Sequence, residues 1–341
     1  MTEEFALNWL KRELVPALGC TEPITIAYCA AQAARSLGET PDRIVVACSG
    51  NMLKNARCVI VPGTTLYGIE ASAILGALYG HPERKMEVLE NLPDTAVQRT
   101  RELLQQGLAK VALFEEGPAL HVLVEVFAGE NHAAAEIAVE HMNLVYLSRN
   151  GDTLFQKSYQ EEKPTEIQDT VSLHEIIDFA KTVELNKLED ILKDQIQKNV
   201  QIAERGLAES YGARVGQIIL KHGKPGLKAK TIAYAAAGSD ARMSGCTLPV
   251  VINSGSGNQG MTVSLPVVIY GRETKAPKEK VYRALALANL TSLYEKEYVG
   301  RLSAYCGAVS AAAGALAGIA FLREDSENLN FRACEKKSVN S

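Results

Sequence analysis

The sequence predicts an α+β protein, a small-residue-rich helical domain with an antiparallel sheet subdomain. Three observations carry that class. Between about Lys110 and Lys157 apolar residues recur at every second position, the period of half-buried strands. From Ser172 onward the apolar period becomes that of a helix. The last third is rich in Ala, Gly and Ser, which let helices approach closely in a packed core.

The elements follow in order. "EEFALNWLKREL" places Leu7, Leu10 and Leu14 at helical spacing, flanked by Phe5 and Trp9. A second helix is expected after Cys20, with Thr21 as N-cap and Glu22 and Pro23 in its first turn, running to a Gly38 stop. "RIVVACS" and "RCVIVPG" are short β-branched runs that read as strands or ordered extended segments. "KVALFEE", "ALHVLVEVFAG", "HAAAEIAVEH" and "NLVYLSRNGDTLFQK" read as successive antiparallel strands, with Asn150-Gly151 as a hairpin turn. "QKSYQEEKPTEIQDT" has no period and is the linker candidate. Ser172-x-x-Glu175 is a capping box. Leu188, Ile191, Leu192, Ile196, Val200, Ala203 and Leu207 then mark one face of a long helix ending near Gly212. The expected division is an α/β segment over 1–100 that contributes Cys20, a sheet subdomain over 101–165, a helical catalytic domain over 170–322 and a divergent tail over 323–341.

Composition excludes several functions. A net charge of -4 without a run of clustered Lys and Arg excludes a nucleic-acid footprint. The acidic, amphipathic N-terminus is no secretory signal, so the seven cysteines point to a reducing, cytoplasmic setting. "SAYCGAVSAAAGALAGIAFL", residues 303–322, carries no charge and contains Gly314-x-x-x-Gly318. Ala, Gly and Ser supply little transfer free energy to a bilayer, so a buried helix is expected rather than a membrane span.

"SGSGNQG", Ser254 to Gly260, has the glycine spacing of a dinucleotide loop. The strand that should precede it is present in "LPVVIN". The helix that should follow is not expected, because "MTVSLPVVIYG" is β-branched and carries Pro266, and the next acid, Glu273, comes too early for a ribose contact. Two readings stay open: a glycine-rich turn, or a small-anion cradle in which N–H groups and the Asn258 and Gln259 amides meet a carboxylate.

Cys20 in "GCTEP" lies at an expected helix N-terminus, where the dipole should lower its pKa and make it a nucleophile, base or metal ligand. Buried filler is the competing reading. Cys246 repeats the pattern in "GCTLP", and Cys306 opens the small-residue helix. Cys29, Cys48 and Cys58 read as core, and Cys334 as an exposed tail thiol. His121, His132 and His141 form no ligand pattern and read as solvated or core side chains.

Four stretches occur in an order that resembles one family. "LGCTEP" at 18–23, "SGNMLKNARCVIVPGT" at 49–64, "SDARMSGCTLPVVINSGSGNQG" at 239–260 and "YCGAVSAAAGALAGIA" at 305–320 are similar to the UPF0597 family, relatives of the α chain of iron–sulfur L-serine dehydratases. The resemblance implies an L-cysteine desulfidase, a lyase giving hydrogen sulfide, pyruvate and ammonia, with L-serine dehydratase as the alternative. It implies a [4Fe-4S] cluster held by three cysteines and no pyridoxal phosphate. Cys20 matches the catalytic base and Cys306 a cluster ligand. Ser254, Gly257, Asn258, Gln259 and Gly260 lie where substrate contacts are expected, with Asn51 and Lys54 as further contacts. That chemistry requires the Cys20 segment to fold back onto the helical region. The implied partners are a small amino-acid substrate and a further copy of the chain, with no nucleic acid and no membrane. The family pattern also includes a segment C-D-G-A-K-x-x-C with two more cluster cysteines, whereas this chain ends in "REDSENLNFRACEKKSVNS". On that pattern a truncated member without a stable cluster is a further expectation.

Overall fold

The structure is a computed structural model that describes residues 1–115, 117–159, 171–299 and 306–323. The chain opens with α1 (Glu3–Glu13), β1 (Pro16–Leu18), α2 (Thr21–Leu37), β2 (Arg43–Cys48), α3 (Gly50–Ala56), α4 (Gly68–Tyr79), α5 (Ala96–Gln105) and β3 (Ala109–Leu113). Next come β4 (His121–Ala128), β5 (Asn131–Ala138), β6 (Leu144–Arg149) and β7 (Asp152–Gln156). The remaining elements are α6 (Leu173–Thr182), α7 (Leu185–Ala208), α8 (Val215–His222), α9 (Leu227–Met243), β8 (Pro249–Val251), α10 (Gly257–Glu273), α11 (Lys278–Val299) and α12 (Ala308–Arg323). The fold is α+β. It divides into a sheet unit of residues 17–163 with 242–249, and a helical unit of residues 1–16, 164–241 and 250–341.

In the sheet unit six strands run in the order β3-β2-β4-β5-β6-β7. Alternation places Val122, Val124 and Val126 of β4 and Ala133, Ala135 and Ile137 of β5 in the core. Asn150 and Gly151 both take positive φ (51° and 86°), the geometry of a tight hairpin turn whose twist suits the flanking strands. One expectation changes: β3 is parallel to β2 rather than antiparallel. Helices α3, α4 and α5 intervene between them, and a crossover of that length returns the chain in the same direction. "RCVIVPG" builds no strand either; it makes a single bridge between Ile60 and Tyr67, broken by Pro62 and the positive φ of Gly63. Helix α2 buries nearly all of its length, including Ile24, Ile26, Ala27, Cys29 and Ala30. Its neighbour α4 comes so near that a Cβ on Gly76 would lie 2.1 Å from the Ala27 carbonyl oxygen.

In the helical unit Ser172 and Glu175 form the expected capping box on α6. The stripe of α7 buries Leu188, Ile191, Leu192, Val200 and Ala203, and the helix ends at Ala208, before Gly212. Helix α12 begins at Ala308; residues 303–305 of the expected segment lie outside the described residues. Its glycines serve packing. A Cβ on Gly314 would lie 2.3 Å from Ala288 O and one on Gly318 2.8 Å from Ala284 O, so α12 rests backbone to backbone on α11. No helix among the described residues is long and apolar enough to cross a membrane.

The largest departure is α10. The β-branched stretch with Pro266 is helical over 17 residues, with Pro266 inside it. An interior proline costs about 3 kcal/mol. Burial of Met261, Val263, Leu265, Val267, Val268 and Ile269 along the same helix outweighs that cost, at about 1.5–3 kcal/mol for each large apolar side chain.

Candidate active site

Within the sheet unit the candidate site starts from a glycine. Gly19 takes φ 61°, and a Cβ there would overlap Pro62 Cγ at 2.0 Å. The turn therefore seats "LGCTEP" directly against "RCVIVPGT". Gly245 closes on the same segment from "SGCTLP", its Cβ position 3.0 Å from Ile60 Cγ2. Three separate stretches thus converge here through the fold.

Cys20, not Thr21, is the N-cap of α2, with φ -76° and ψ 133°. The thiol makes no capping bond. It donates instead to Glu22 Oε2 at 3.1 Å, and the Thr21 hydroxyl donates to the same oxygen at 3.0 Å. The second carboxylate oxygen, Oε1, accepts from Asn55 Nδ2 of α3 at 3.1 Å. Arg242 is buried, and its Nε donates to Gly19 O at 2.8 Å. A thiol, a carboxylate, an amide and a guanidinium are thereby held in one shell, with half-buried His141 acting on Glu22 through its charge.

The electrostatics correct the expectation of an activated thiol. Burial, and after it the charge of Glu22, push Cys20 far above an ordinary thiol, and Arg242 opposes them only in part. A helix N-terminus contributes about 0.3–1 kcal/mol to an anion. Removing a thiolate from water costs several times that, because full burial moves a pKa by about 3–5 units at roughly 1.4 kcal/mol each. Cys20 is consequently a neutral thiol in the resting protein. Glu22 goes the other way. Burial would raise it, but His141, the Cys20 hydrogen bond and Arg242 together hold it below the usual carboxylate value.

The helical unit holds the glycine turn. Ser254 and Gly255 both take positive φ (48° and 76°), and Asn253 and Ser256 exchange backbone hydrogen bonds at 3.1 Å each way. Ser256 then caps α10, accepting from Gln259 N at 3.4 Å. Gly260 lets the helix lie on β8, since a Cβ would stand 2.1 Å from Val251 O. Buried amides back the turn. Gln259 Nε2 donates to Asn253 Oδ1 (3.3 Å), Asn253 Nδ2 to Asn289 Oδ1 (3.0 Å), and Asn289 Nδ2 to Gln195 Oε1 (2.8 Å). Asn199 takes both the N–H and the C=O of Val251. Gly307, beside the exposed Cys306, packs against Gln259, whose Oε1 would be 1.9 Å from an added Cβ. The turn, Gln259 and the start of α12 are therefore brought together.

The serine dehydratase α-chain model matches residues 83–336. A UPF0597 protein of Lachnoclostridium phytofermentans is 45% identical over 318 residues, covering 93% of this chain and 76% of that protein. A UPF0597 protein of Treponema denticola is 41% identical over 323 residues, covering 92% and 75%. The chain belongs to the UPF0597 branch of the serine dehydratase α-chain family. No solved structure matches it.

In this UPF0597 chain the residues singled out from sequence fall into two groups. Ser254, Gly257, Gln259 and Gly260 are buried and Asn258 is half-buried, all at the turn beside Cys306. Cys20 is in the sheet unit with Asn51, half-buried, and Lys54, exposed, on α3. The α3 side chain that reaches Glu22 is Asn55, which sequence reasoning passed over, as it did Glu22 and Arg242; His141 it read as a solvated or core side chain. Glu22 carried a signal, an acid two residues from the thiol in a helix's first turn. His141 and Arg242 carried none. Cys58 is exposed rather than core, because it lies in the turn that follows α3, ahead of the buried Val61 and Pro62. His121 is buried and paired with Glu136 at 2.6 Å. Cys334 lies outside the described residues. Among the described residues no three His, Cys, Asp or Glu side chains are grouped to hold a metal.

Proposed function

We propose that the protein is a carbon–sulfur lyase, an L-cysteine desulfidase that releases hydrogen sulfide, pyruvate and ammonia. The observation that carries this reading is the buried Cys20–Glu22 pair, in a chain of the serine dehydratase α-chain family. Elimination requires removal of the α-proton, and a thiol bonded to an ionised carboxylate is a proton-handling pair suited to that step. Cys20 takes the role of base. The turn from Ser254 to Gly260, with the first N–H groups of α10, is suited to hold the substrate carboxylate, and Asn51 and Lys54 are assigned as further contacts.

An iron–sulfur cluster belongs to the reading as an expectation, with Cys306 as one ligand. Cys306 is exposed next to Gly307, and no set of three ligating side chains is grouped among the described residues, so they do not by themselves make up a ligand set. L-Serine dehydratase is the second reading, favoured by the family description, and it differs only in the leaving group.

The test is anaerobic assay with iron and sulfide supplied, comparing sulfide release from L-cysteine with pyruvate formation from L-serine. Preferential sulfide release supports desulfidase; turnover of serine alone favours dehydratase; turnover of neither defeats both. Cys20→Ser should cost about 10²–10⁴-fold in turnover, the worth of a positioned base.

A further inference from the structure

We propose that Glu22 is a positioning residue for Cys20, the carboxylate that keeps the proton on sulfur in the resting protein and receives it when the thiolate forms. This rests on the reading of Cys20 as base and goes beyond it, because a base must first lose a proton and the fold supplies one acceptor in contact. Cys20 donates to Oε2 at 3.1 Å, and the other oxygen is tied to Asn55 at 3.1 Å. Thr21 donates to the same Oε2, so the carboxylate cannot swing away without breaking three bonds.

The groups facing Glu22 are Cys20 and Thr21 on its own helix, Asn55 on α3, His141 between β5 and β6, and Arg242. His141 and Arg242 both favour the ionised carboxylate, so at rest the proton belongs on sulfur. In the proposed step the S–H bond breaks and its electron pair stays on sulfur. An O–H bond forms at Oε2. The thiolate then takes the α-proton of the substrate, and Glu22 resets by giving its proton to water. No electrons are transferred to or from the protein.

Two sides of this assignment have opposite signs, which a merely structural role would not produce. Glu22→Gln removes the negative charge that holds the proton on sulfur and leaves only a neutral amide oxygen to accept, so Cys20 should ionise more readily. Alkylation of Cys20 by iodoacetamide, followed by mass spectrometry at fixed pH 8.5, should then speed up about tenfold or more, one unit of pKa being a factor of ten in thiolate. The pH midpoint of alkylation should move down accordingly. Turnover should fall in the same variant, because an amide oxygen cannot take up the proton. Alkylation that is unchanged or slower overturns the proposal, and so does faster alkylation with turnover intact.

Cys29, fully buried under the sheet, is the internal control for unfolding. If it becomes reactive in Glu22→Gln, Glu22→Asp is measured instead. The carboxylate one methylene shorter loses the contact to Sγ, and a rise in Cys20 alkylation of about threefold is expected, with no rise overturning the idea. If the wild-type chain turns over neither substrate, the functional reading fails, while the alkylation profile still decides whether Glu22 holds the Cys20 proton.

Discussion

The two clusters solve the burial of polar groups in opposite ways. Around Cys20 the buried groups are ionisable, and each is balanced by another charge or proton donor: Glu22 by Thr21, Asn55, His141 and Arg242. Around the glycine turn the buried groups are neutral amides and hydroxyls, from Gln259 through Asn253 and Asn289 to Gln195, each donating to the next. A charge network responds to pH, whereas an amide network responds only to shape and to loss of a partner. The first is suited to moving a proton and the second to holding a backbone still.

The comparison can be broken most sharply at Gly260. Gly260→Ala sets a Cβ 2.1 Å from the Val251 oxygen, a backbone atom that no rotamer change can move aside. A loss of about 3 kcal/mol is expected. It should show as a drop in urea midpoint, relative to the unchanged chain, of the same size at pH 6 and pH 9.

The alkaline limb tests the other cluster. Cys20, Cys29 and Cys48 are all raised by burial, Cys48 to about 12. A raised folded pKa contributes stability that is full below the unfolded thiol value and is lost as pH rises through the folded one. Urea midpoints should therefore fall above about pH 8.5, each thiol contributing about 1.4 kcal/mol per pH unit. Cys20→Ala should remove one such share of the slope. Glu22 has the reverse sign: its depressed pKa contributes stability above the unfolded carboxylate value that is lost on acidification, and Glu22→Gln should flatten that limb.

Ser172→Ala sharpens the contrast from outside both clusters. It deletes the capping box of α6 and should cost about 1 kcal/mol, with the alkaline slope unchanged. The smallest effect is expected at Glu295, raised by burial to about 7. The folded protein prefers this carboxyl protonated, so its contribution is present below the unfolded value and is lost as pH rises through about 7. Glu295→Gln should raise the melting temperature at pH 8 and leave it nearly unchanged at pH 4. The gain should stay under about 1 kcal/mol because the group is partly solvated.

Local rules carried much of the fold. The strand alternation of β4 and β5, the Asn150-Gly151 turn, the capping box of α6 and the stripe on α7 depend on spacing of two, three or four residues, and spacing is written in the chain. Cys20, the glycine turn and Cys306 were legible for the same reason, as sequence-local features. What escaped depends on partners distant in sequence. Pro266 and its β-branched neighbours argue against a helix locally, yet packing against the rest of the helical unit makes α10 helical, since tertiary burial outweighs propensity. The parallel pairing of β3 with β2 follows from the crossover that separates them, and no alternation pattern encodes direction.

The site shows the same division. Sequence alone determined that a thiol opens a helix two residues before a carboxylate, and that a glycine-rich turn follows a short strand. Tertiary structure alone decided the protonation state of that thiol. Its pKa is set by how much water is excluded and by the charges of Glu22 and Arg242, and residue 242 reaches Gly19 only in the folded chain. Desolvation and Coulomb terms depend on distance in space, whereas the sequence records only distance along the chain.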